Sequence, residues 1–135
     1  MAVRRATRDR SVAARADERH RRGRDAEAAV ASWFREQGFE IVATNHRVGR
    51  LELDVVARKG SLVVVVEVRT RGPGSWTHAL GSIDAAKRQR IRRAGELLWQ
   101  RRFRHDEGVD RIRFDAASVT FRDGVPEVEY VPAAF

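Results

Sequence analysis

Cysteine is absent from the sequence, which excludes disulfide bonds and thiolate metal ligands. There is also no apolar run approaching the roughly 20 residues that a membrane-spanning helix needs. The N-terminus is rich in arginine but lacks the apolar segment of a secretory signal. Together these absences favour a cytoplasmic protein that has no membrane partner.

Large apolar side chains are almost missing from residues 1–22. A segment that cannot bury apolar surface stays outside a core, so we predict a basic, mobile N-terminal arm here, with a helical tendency in its Ala-rich middle. The 135-residue sequence shows no internal repeat, and residues 23–135 are long enough for a single domain with its own core. The predicted organisation is therefore one arm and one domain.

The formal net charge of +8 is concentrated in two segments. Residues 1–22 hold eight arginines against three acidic residues, and residues 87–104 hold eight basic residues against Glu96. Such patches attract polyanions, so we predict a nucleic-acid partner, with DNA preferred. Charge alone does not separate DNA from RNA or from a membrane surface, and arginine used at ordinary solvated positions is the simpler alternative.

Residues 51–69 contain two Leu/Val-rich runs joined by a turn, which predicts a central β-hairpin buried on both faces. Because successive side chains alternate faces, Glu52 and Asp54 share one side of the first strand, and Glu67 and Arg69 share one side of the second. If the two sides coincide, three carboxylates and a guanidinium converge at one end of a buried sheet. That arrangement is suited to a divalent metal with a cation beside it.

Residues 26–37 have the 3.6-residue periodicity of an amphipathic helix, and Gly38 is a natural C-terminal stop. Glu27 falls on the same stripe as Val30 and Phe34, which places a carboxylate on the core-facing side. An acid near a helix start often only complements the helix dipole, and a functional role is the other interpretation.

A second helix is predicted from a cap at Asp84 to about Phe103. Lys87 interrupts the apolar stripe of this helix, and its side chain either snorkels out at the helix end or points its ammonium at the carboxylates. Four arginines lie mostly off the stripe and form a basic face: Arg88, Arg90, Arg92 and Arg93. These arginines are predicted to bind nucleic acid together with Arg47, which precedes the hairpin.

The rest of the chain predicts further strands. Residues 39–43 alternate weakly and precede the hairpin, so a three-stranded meander is expected. Residues 111–120 and 127–131 are predicted to pair across an Asp-Gly turn, and nearby prolines place the last strand at an edge. The glycine- and proline-containing residues 71–75 are predicted to form a loop.

The order of the charged residues matches the plan of a metal-dependent nuclease. Carboxylates from a helix and from adjacent strands would hold Mg²⁺ or Mn²⁺, which polarises phosphoryl oxygens and lowers the pKa of an attacking water. A cation two residues beyond the last carboxylate would stabilise the charge that develops at phosphorus. The alternative is a structural network of buried ion pairs. Its candidate pairs are Glu67 with Arg69 or Arg71, and Asp54 with Arg47 or Lys87.

Several short motifs occur in an order that resembles a known family. They span residues 23–27, 45–47, 51–54, 66–71, 83–90, 112–115 and 134–135. Through these motifs, which cover about residues 23–135, the sequence resembles the YraN family of small bacterial proteins, within the restriction-endonuclease-like PD-(D/E)xK superfamily. The family is similar in fold to archaeal Holliday-junction resolvases.

The resemblance implies an α/β fold with a restriction-endonuclease-like core, in which a mixed central sheet of about five strands is flanked by two main helices. It also implies binding of nucleic acid, metal-dependent cleavage of structured or branched DNA, and a homodimer that cuts symmetrically. The metal ligands would be Glu27, Asp54 and Glu67. The catalytic residues would be Asp54, Glu67, Arg69 and Lys87, and the supporting residues Glu52, Arg71 and Gln89.

Two positions depart from the family pattern. Leu51 stands where the family usually has glycine, and Arg69 stands where the superfamily has lysine. Arginine keeps the positive charge and can clamp a phosphate, but it cannot give up a proton near neutral pH. Lys87 is a candidate replacement for a neutral amine. The alternative function is a non-catalytic nucleic-acid-binding or protein-interaction module with a degenerate site.

Overall fold

The computed structural model describes residues 2–71 and 83–135, with side chains from residue 12 onward in those ranges. The described residues form two α-helices and five strands. In chain order these are α1 (Ala2–Glu36), β1 (Glu40–Val48), β2 (Leu51–Lys59), β3 (Leu62–Arg71), α2 (Ala85–Leu98), β4 (Arg111–Arg122) and β5 (Val125–Val131). The predicted α/β class is confirmed. The loop predicted at residues 71–75 lies outside the described residues beyond Arg71, where β3 ends.

The strands form one mixed sheet in the order β1-β2-β3-β4-β5. The β1–β2, β2–β3 and β4–β5 pairs are antiparallel, whereas β3 and β4 are parallel. A parallel pair needs a crossover connection, and α2 lies in that connection. The five-stranded mixed sheet, the meander of its first three strands and the edge position of β5 all agree with the prediction.

The core has two layers, one on each face of the sheet. The α1 layer contains Val30 and Phe34 packed against Val64 of β3, and the α2 layer contains Ile91 packed on the face that carries Val65. Alternation along β3 sends successive valines into opposite layers. This explains why the strand needs an unbroken β-branched run, since burying each valine contributes roughly 1.5–3 kcal/mol.

Helix α1 begins at Ala2, 24 residues before the helix start that periodicity predicts. The segment that was expected to be an arm contains no proline, and its Ala, Arg and Glu residues have high helix propensity. An i,i+4 ion pair joins Arg22 Nη2 to Glu18 Oε1 at 3.1 Å. The apolar stripe marks only the C-terminal part of α1 that packs on the sheet. The mobility of residues 1–22 stays a prediction.

Helix α2 is capped as predicted, because the Asp84 carboxylate accepts a hydrogen bond from the Lys87 backbone N–H at 2.8 Å. The helix continues into a π-helical turn at Trp99–Phe103. Gly95 lies against the Phe114 ring of β4, and a Cβ atom at this position would lie 2.5 Å from two ring carbons. The close approach of α2 to the sheet therefore requires glycine here.

A buried polar cluster ties the chain end to β4. Both oxygens of the Asp115 carboxylate, which is fully buried, accept hydrogen bonds from Arg113 at 2.9 Å, and Oδ1 also accepts one from the Ala133 N–H at 2.7 Å. The Tyr130 hydroxyl donates to Oδ2. In addition, the Ala134 N–H donates to the Phe114 carbonyl at 2.9 Å. The motifs at residues 112–115 and 134–135 thus have a structural role, because they fix the end of the chain to β4.

None of the described helices is long and apolar enough to cross a bilayer.

Candidate metal centre

The candidate site lies where β2 and β3 separate. The pairing of β2 with β3 begins at the turn between them and ends at Val55 and Val66. Asp54 and Glu67 are therefore the first side chains beyond the paired residues. The Val68 N–H donates a hydrogen bond to Asp54 Oδ2 at 2.9 Å. Because a buried backbone donor must find a partner, this bond holds Asp54 across the fork between the strands.

Three carboxylates meet at this fork. Glu27 of α1 and Glu52 and Asp54 of β2 each offer an oxygen, and these oxygens all lie within 4.8 Å of one another. Glu27 Oε2 is buried and has no hydrogen-bond partner among the described residues. An unsatisfied carboxylate oxygen inside an all-oxygen donor set is suited to a hard divalent cation such as Mg²⁺ or Mn²⁺.

Glu67 lies beside this cluster but is compensated differently. Its side chain is 4% exposed, and its Oε1 lies 2.8 Å from the Lys87 ammonium and 3.7 Å from Arg69 Nη2. When Asp54 is protonated, Glu67 also accepts a hydrogen bond from its carboxyl group. The structure therefore groups Glu52, which the resemblance gives as a supporting residue, with Glu27 and Asp54, while Glu67 adjoins the group at Asp54.

Burial and neighbouring charge make it difficult to ionise Asp54 and Glu27 without a cation. Burial raises the pKa of Asp54, and the negative charge of Glu67, the hydrogen bond with Glu67 and the charge of Glu27 raise it further. The Val68 N–H acts in the opposite direction. Burial also raises the pKa of Glu27, against a lowering hydrogen bond from Asn45. A proton on Asp54 is thus favoured until a cation replaces it.

Lys87 adopts the second of its two predicted orientations. Its ammonium points from the first turn of α2 at Glu67, although 35% of the side chain stays exposed. Arg69 is similarly placed, with 30% of its side chain exposed and its Nε atom buried without a partner among the described residues. The two cations can therefore stabilise Glu67 and still face solvent. This arrangement also contains one ion pair of the predicted structural alternative, Glu67 with Arg69.

The other predicted residues lie around the cluster. Arg71 forms an ion pair with Glu129 of β5 at 3.1 Å, and Arg47 is exposed on β1 opposite Glu52. Arg88 donates from Nε to the Ile83 carbonyl at 2.9 Å, and Arg92 lies 5.5 Å from the centre of the Phe114 ring. Exposed positions on α2 hold the rest of the set: Gln89, Arg90 and Arg93. None of these residues belongs to the three-carboxylate group.

Sequence reasoning missed several residues around the cluster. Asn45 bonds Glu27 and has a positive φ of 49°, which its short polar side chain tolerates. A groove of about 540 Å³ connects Asn45, Glu27 and Glu52 with about two turns of α1. The α1 residues that line it are Asp17, Arg19, His20, Gly23 and Arg24. Only their basic composition signals a role in the sequence.

Comparison with known proteins gives a consistent set of similarities. Residues 26–119 match the model of the Uncharacterised protein family UPF0102. A UPF0102 protein of Sorangium cellulosum (strain So ce56) is 58% identical over 121 residues, which cover 89% of this chain and 84% of the relative. UPF0102 proteins of Anaeromyxobacter dehalogenans (strain 2CP-C) and Pseudomonas aeruginosa (strain LESB58) are 41% identical over 119 residues and 39% identical over 116 residues. These two matches cover 88% and 84% of this chain, and 87% and 91% of the respective relatives.

Proposed function

The chain belongs to the UPF0102 (YraN) family, as its motifs predict, and we propose that it is a Mg²⁺- or Mn²⁺-dependent nuclease of the restriction-endonuclease-like type that cuts structured or branched DNA. One observation carries this proposal. Three carboxylate oxygens lie within 4.8 Å of one another at the fork of the sheet, next to a buried glutamate that contacts two partly exposed cations.

The cluster of Glu27, Glu52 and Asp54 would hold the metal, with Glu67 adjoining it. A bound divalent cation supplies polarisation of a phosphoryl oxygen and a lowered pKa for water. Asp54 gives up its favoured proton when the cation binds, since ionised carboxylates are needed as ligands. Glu67 adjoins Asp54 and adds negative charge beside the ligands.

Arg69 and Lys87 would contact the scissile phosphate. Both are close to Glu67 and retain exposed donors, so a phosphate oxygen can approach them from solvent. The guanidinium of Arg69 presents a fork that suits two phosphate oxygens, and it stays charged throughout. Arg69 therefore contributes electrostatic stabilisation at phosphorus. Of the two residues, only Lys87 has an amine that could transfer a proton.

Cleavage assays with a matched pair of variants test the proposal. Junction, flap and single-stranded DNA are incubated with Mn²⁺ and the wild-type protein, Glu27→Gln or Glu36→Gln. Both glutamates are on α1, but Glu36 is exposed at its far end. We expect Glu27→Gln to reduce cleavage by at least about a hundredfold and Glu36→Gln to leave it unchanged. Equal activity in the two variants would contradict a metal site at Glu27.

A second candidate is a non-catalytic nucleic-acid-binding module. The observation in its favour is that Lys87 and Arg69 already neutralise Glu67, as expected of a structural ion-pair network. This candidate predicts salt-dependent DNA affinity that Glu27→Gln leaves intact, together with no heat of Mn²⁺ binding in calorimetry. A measurable Mn²⁺ affinity that Glu27→Gln abolishes would exclude it.

The partners and location belong to the same proposal. DNA as the ligand agrees with the exposed arginines of α2 and with a net charge of +8, and it implies a cytoplasmic location. Symmetric cleavage of a branched substrate would require two copies of the chain. Light scattering during size-exclusion chromatography, with and without junction DNA, measures whether a dimer forms.

A further inference from the structure

One stripe of helix α1 changes from basic to apolar along the helix. From Ala26 onward the stripe is apolar and buried, with Ala26 and Val30 as its first members. At 100° per residue, the same stripe continues toward the N-terminus through Arg22, Arg19 and Arg15. All three arginines are exposed. The helical face that packs on the sheet thus becomes a basic face where the helix passes beyond the sheet.

This basic face adjoins the carboxylate cluster. Arg19 lines the 540 Å³ groove that also contains Glu27 and Glu52. Arg19 and Arg22 line a second groove, of about 650 Å³. Thr70 and Arg71, at the end of β3, also line this second groove. Arg19 therefore lines both grooves, and Arg22 lines the groove at the end of the strand that carries Glu67 and Arg69.

The segment of α1 that precedes Ala26 is long enough for an extended ligand. Residues 2–25 span about 36 Å at the ~1.5 Å rise of an α-helix, which is close to the ~34 Å of one duplex turn. This segment lies before residue 26, where the UPF0102 match begins. Helix α1 runs without a break from this segment to Glu27.

We propose that residues 2–25 of α1 form a DNA-binding arm that holds about one turn of duplex on the flank of the metal site. Arg15, Arg19 and Arg22 contact successive phosphates along the arm. The inference rests on the proposed function, since it takes nucleic acid as the ligand of the adjoining site. The exposed pair of Arg22 with Glu18 is weak enough for a phosphate to replace.

The composition of the arm favours duplex DNA over other polyanions. Val12 is the one large exposed apolar residue among described side chains of the arm, whereas a membrane-surface helix needs a broad apolar face. The major groove of B-DNA, roughly 12 Å wide, accommodates a helix. The corresponding groove of A-form RNA is deep and too narrow for side chains to read.

The test measures binding without cleavage. Fluorescence anisotropy with a 24-bp duplex is recorded in EDTA, with Asp54→Asn as the parent protein, over a series of salt concentrations. Arg15→Gln/Arg19→Gln is compared with Arg35→Gln/Arg111→Gln. The control pair removes equal charge from exposed positions at the end of the fold away from the cluster. Glutamine retains helix propensity at each α1 position.

We expect the arm variant to bind about tenfold more weakly or worse near 0.1 M salt. The slope of log K against log salt should become shallower by about 1.8, since two phosphate contacts are lost. The control variant should retain the parent slope. Shortening the duplex to 12 bp should weaken the parent protein and leave the arm variant nearly unaffected.

Three outcomes would overturn the proposal. The first is equal slopes for the arm and control variants. The second is that the parent protein binds a 24-bp RNA duplex more tightly than the 24-bp DNA duplex. The third is loss of binding to phosphatidylserine vesicles in the arm variant with DNA affinity unchanged. If the arm variant loses DNA affinity as expected but the wild-type protein never cleaves with Mn²⁺, the proposed nuclease function fails and the arm stands.

Discussion

At the scale of single residues, Asp54 combines two roles at the fork of the sheet. Its Oδ2 accepts a hydrogen bond from the Val68 N–H at 2.9 Å. This bond replaces a strand-to-strand hydrogen bond, because the pairing of β2 with β3 ends at Val55 and Val66. Its carboxyl group also adjoins Glu27, Glu52 and Glu67. The structural role needs only an acceptor, whereas metal binding needs the negative charge.

Asp54→Asn separates these two roles. Asparagine keeps an acceptor for Val68 but carries no charge. Because the folded-state pKa of Asp54 lies above its ordinary value of 3.8, the neutral carboxyl stabilises the fold in acid. That contribution is lost as the pH rises through the folded-state pKa. We expect the free energy of unfolding of the metal-free wild type to fall with pH by up to about 1.4 kcal/mol per unit, and the variant to lack this fall.

Urea denaturation between about pH 5 and 9 in EDTA measures this difference. The matched control is Asp123→Asn, at an exposed turn position between β4 and β5. Parallel stability curves for wild type and Asp54→Asn would contradict a raised pKa at Asp54.

At the scale of elements, the contact between α2 and β4 depends on a missing side chain. Gly95 faces the ring of Phe114, which also packs on Phe135 with ring centres 5.8 Å apart. The ring is 8% exposed, so it has little room to move away. The position of α2, and with it the position of Lys87, therefore follows from this contact.

Gly95→Ala is expected to destabilise the protein. An added Cβ would lie 2.5 Å from two carbons of the Phe114 ring, and overpacking of a core typically costs about 1–3 kcal/mol. This outweighs the gain of up to about 1 kcal/mol in helix propensity. In the control Gly23→Ala, no atom lies within 4 Å of the new Cβ, so a small stabilisation is expected. Thermal unfolding measures both, and the same sign for both variants would contradict the packing argument.

At the scale of the whole molecule, the site is assembled from elements on both faces of the sheet. Glu27 comes from α1, Asp54 and Glu67 come from adjacent strands, and Lys87 comes from α2. A ligand that joins such groups binds only the folded chain, so its binding energy adds to the stability of the fold.

Mn²⁺ is therefore expected to stabilise the protein. At a concentration a hundredfold above its Kd, the gain should be about 2.7 kcal/mol, observed as a rise in Tm by differential scanning fluorimetry. Glu27→Gln should remove most of this rise, and the exposed substitution Glu36→Gln should retain it. An equal rise in both variants would place Mn²⁺ binding outside the cluster.

Much of the fold was predictable because local patterns decide it. The valine run of β3 predicted a strand buried on both faces, Asp84 predicted the start of α2, and nearby prolines predicted that β5 lies at an edge. The start of α1 was not predicted, since a solvated helix has no apolar stripe to mark it. The Asp115 cluster was also missed, because its partners Tyr130 and Ala133 come from another strand and the chain end.

For the site, the sequence by itself determined the donor chemistry: oxygen ligands without thiolates, Glu52 and Asp54 two residues apart on one strand, and basic residues nearby. The tertiary structure decided how those donors are grouped. The β2–β3 pairing ends at Val55 and Val66, which brings Asp54 together with Glu52 and Glu27, while Lys87 approaches Glu67 from α2. Burial, strand register and charge compensation depend on contacts between residues that are distant in the chain. The periodicity of a single element therefore does not predict them.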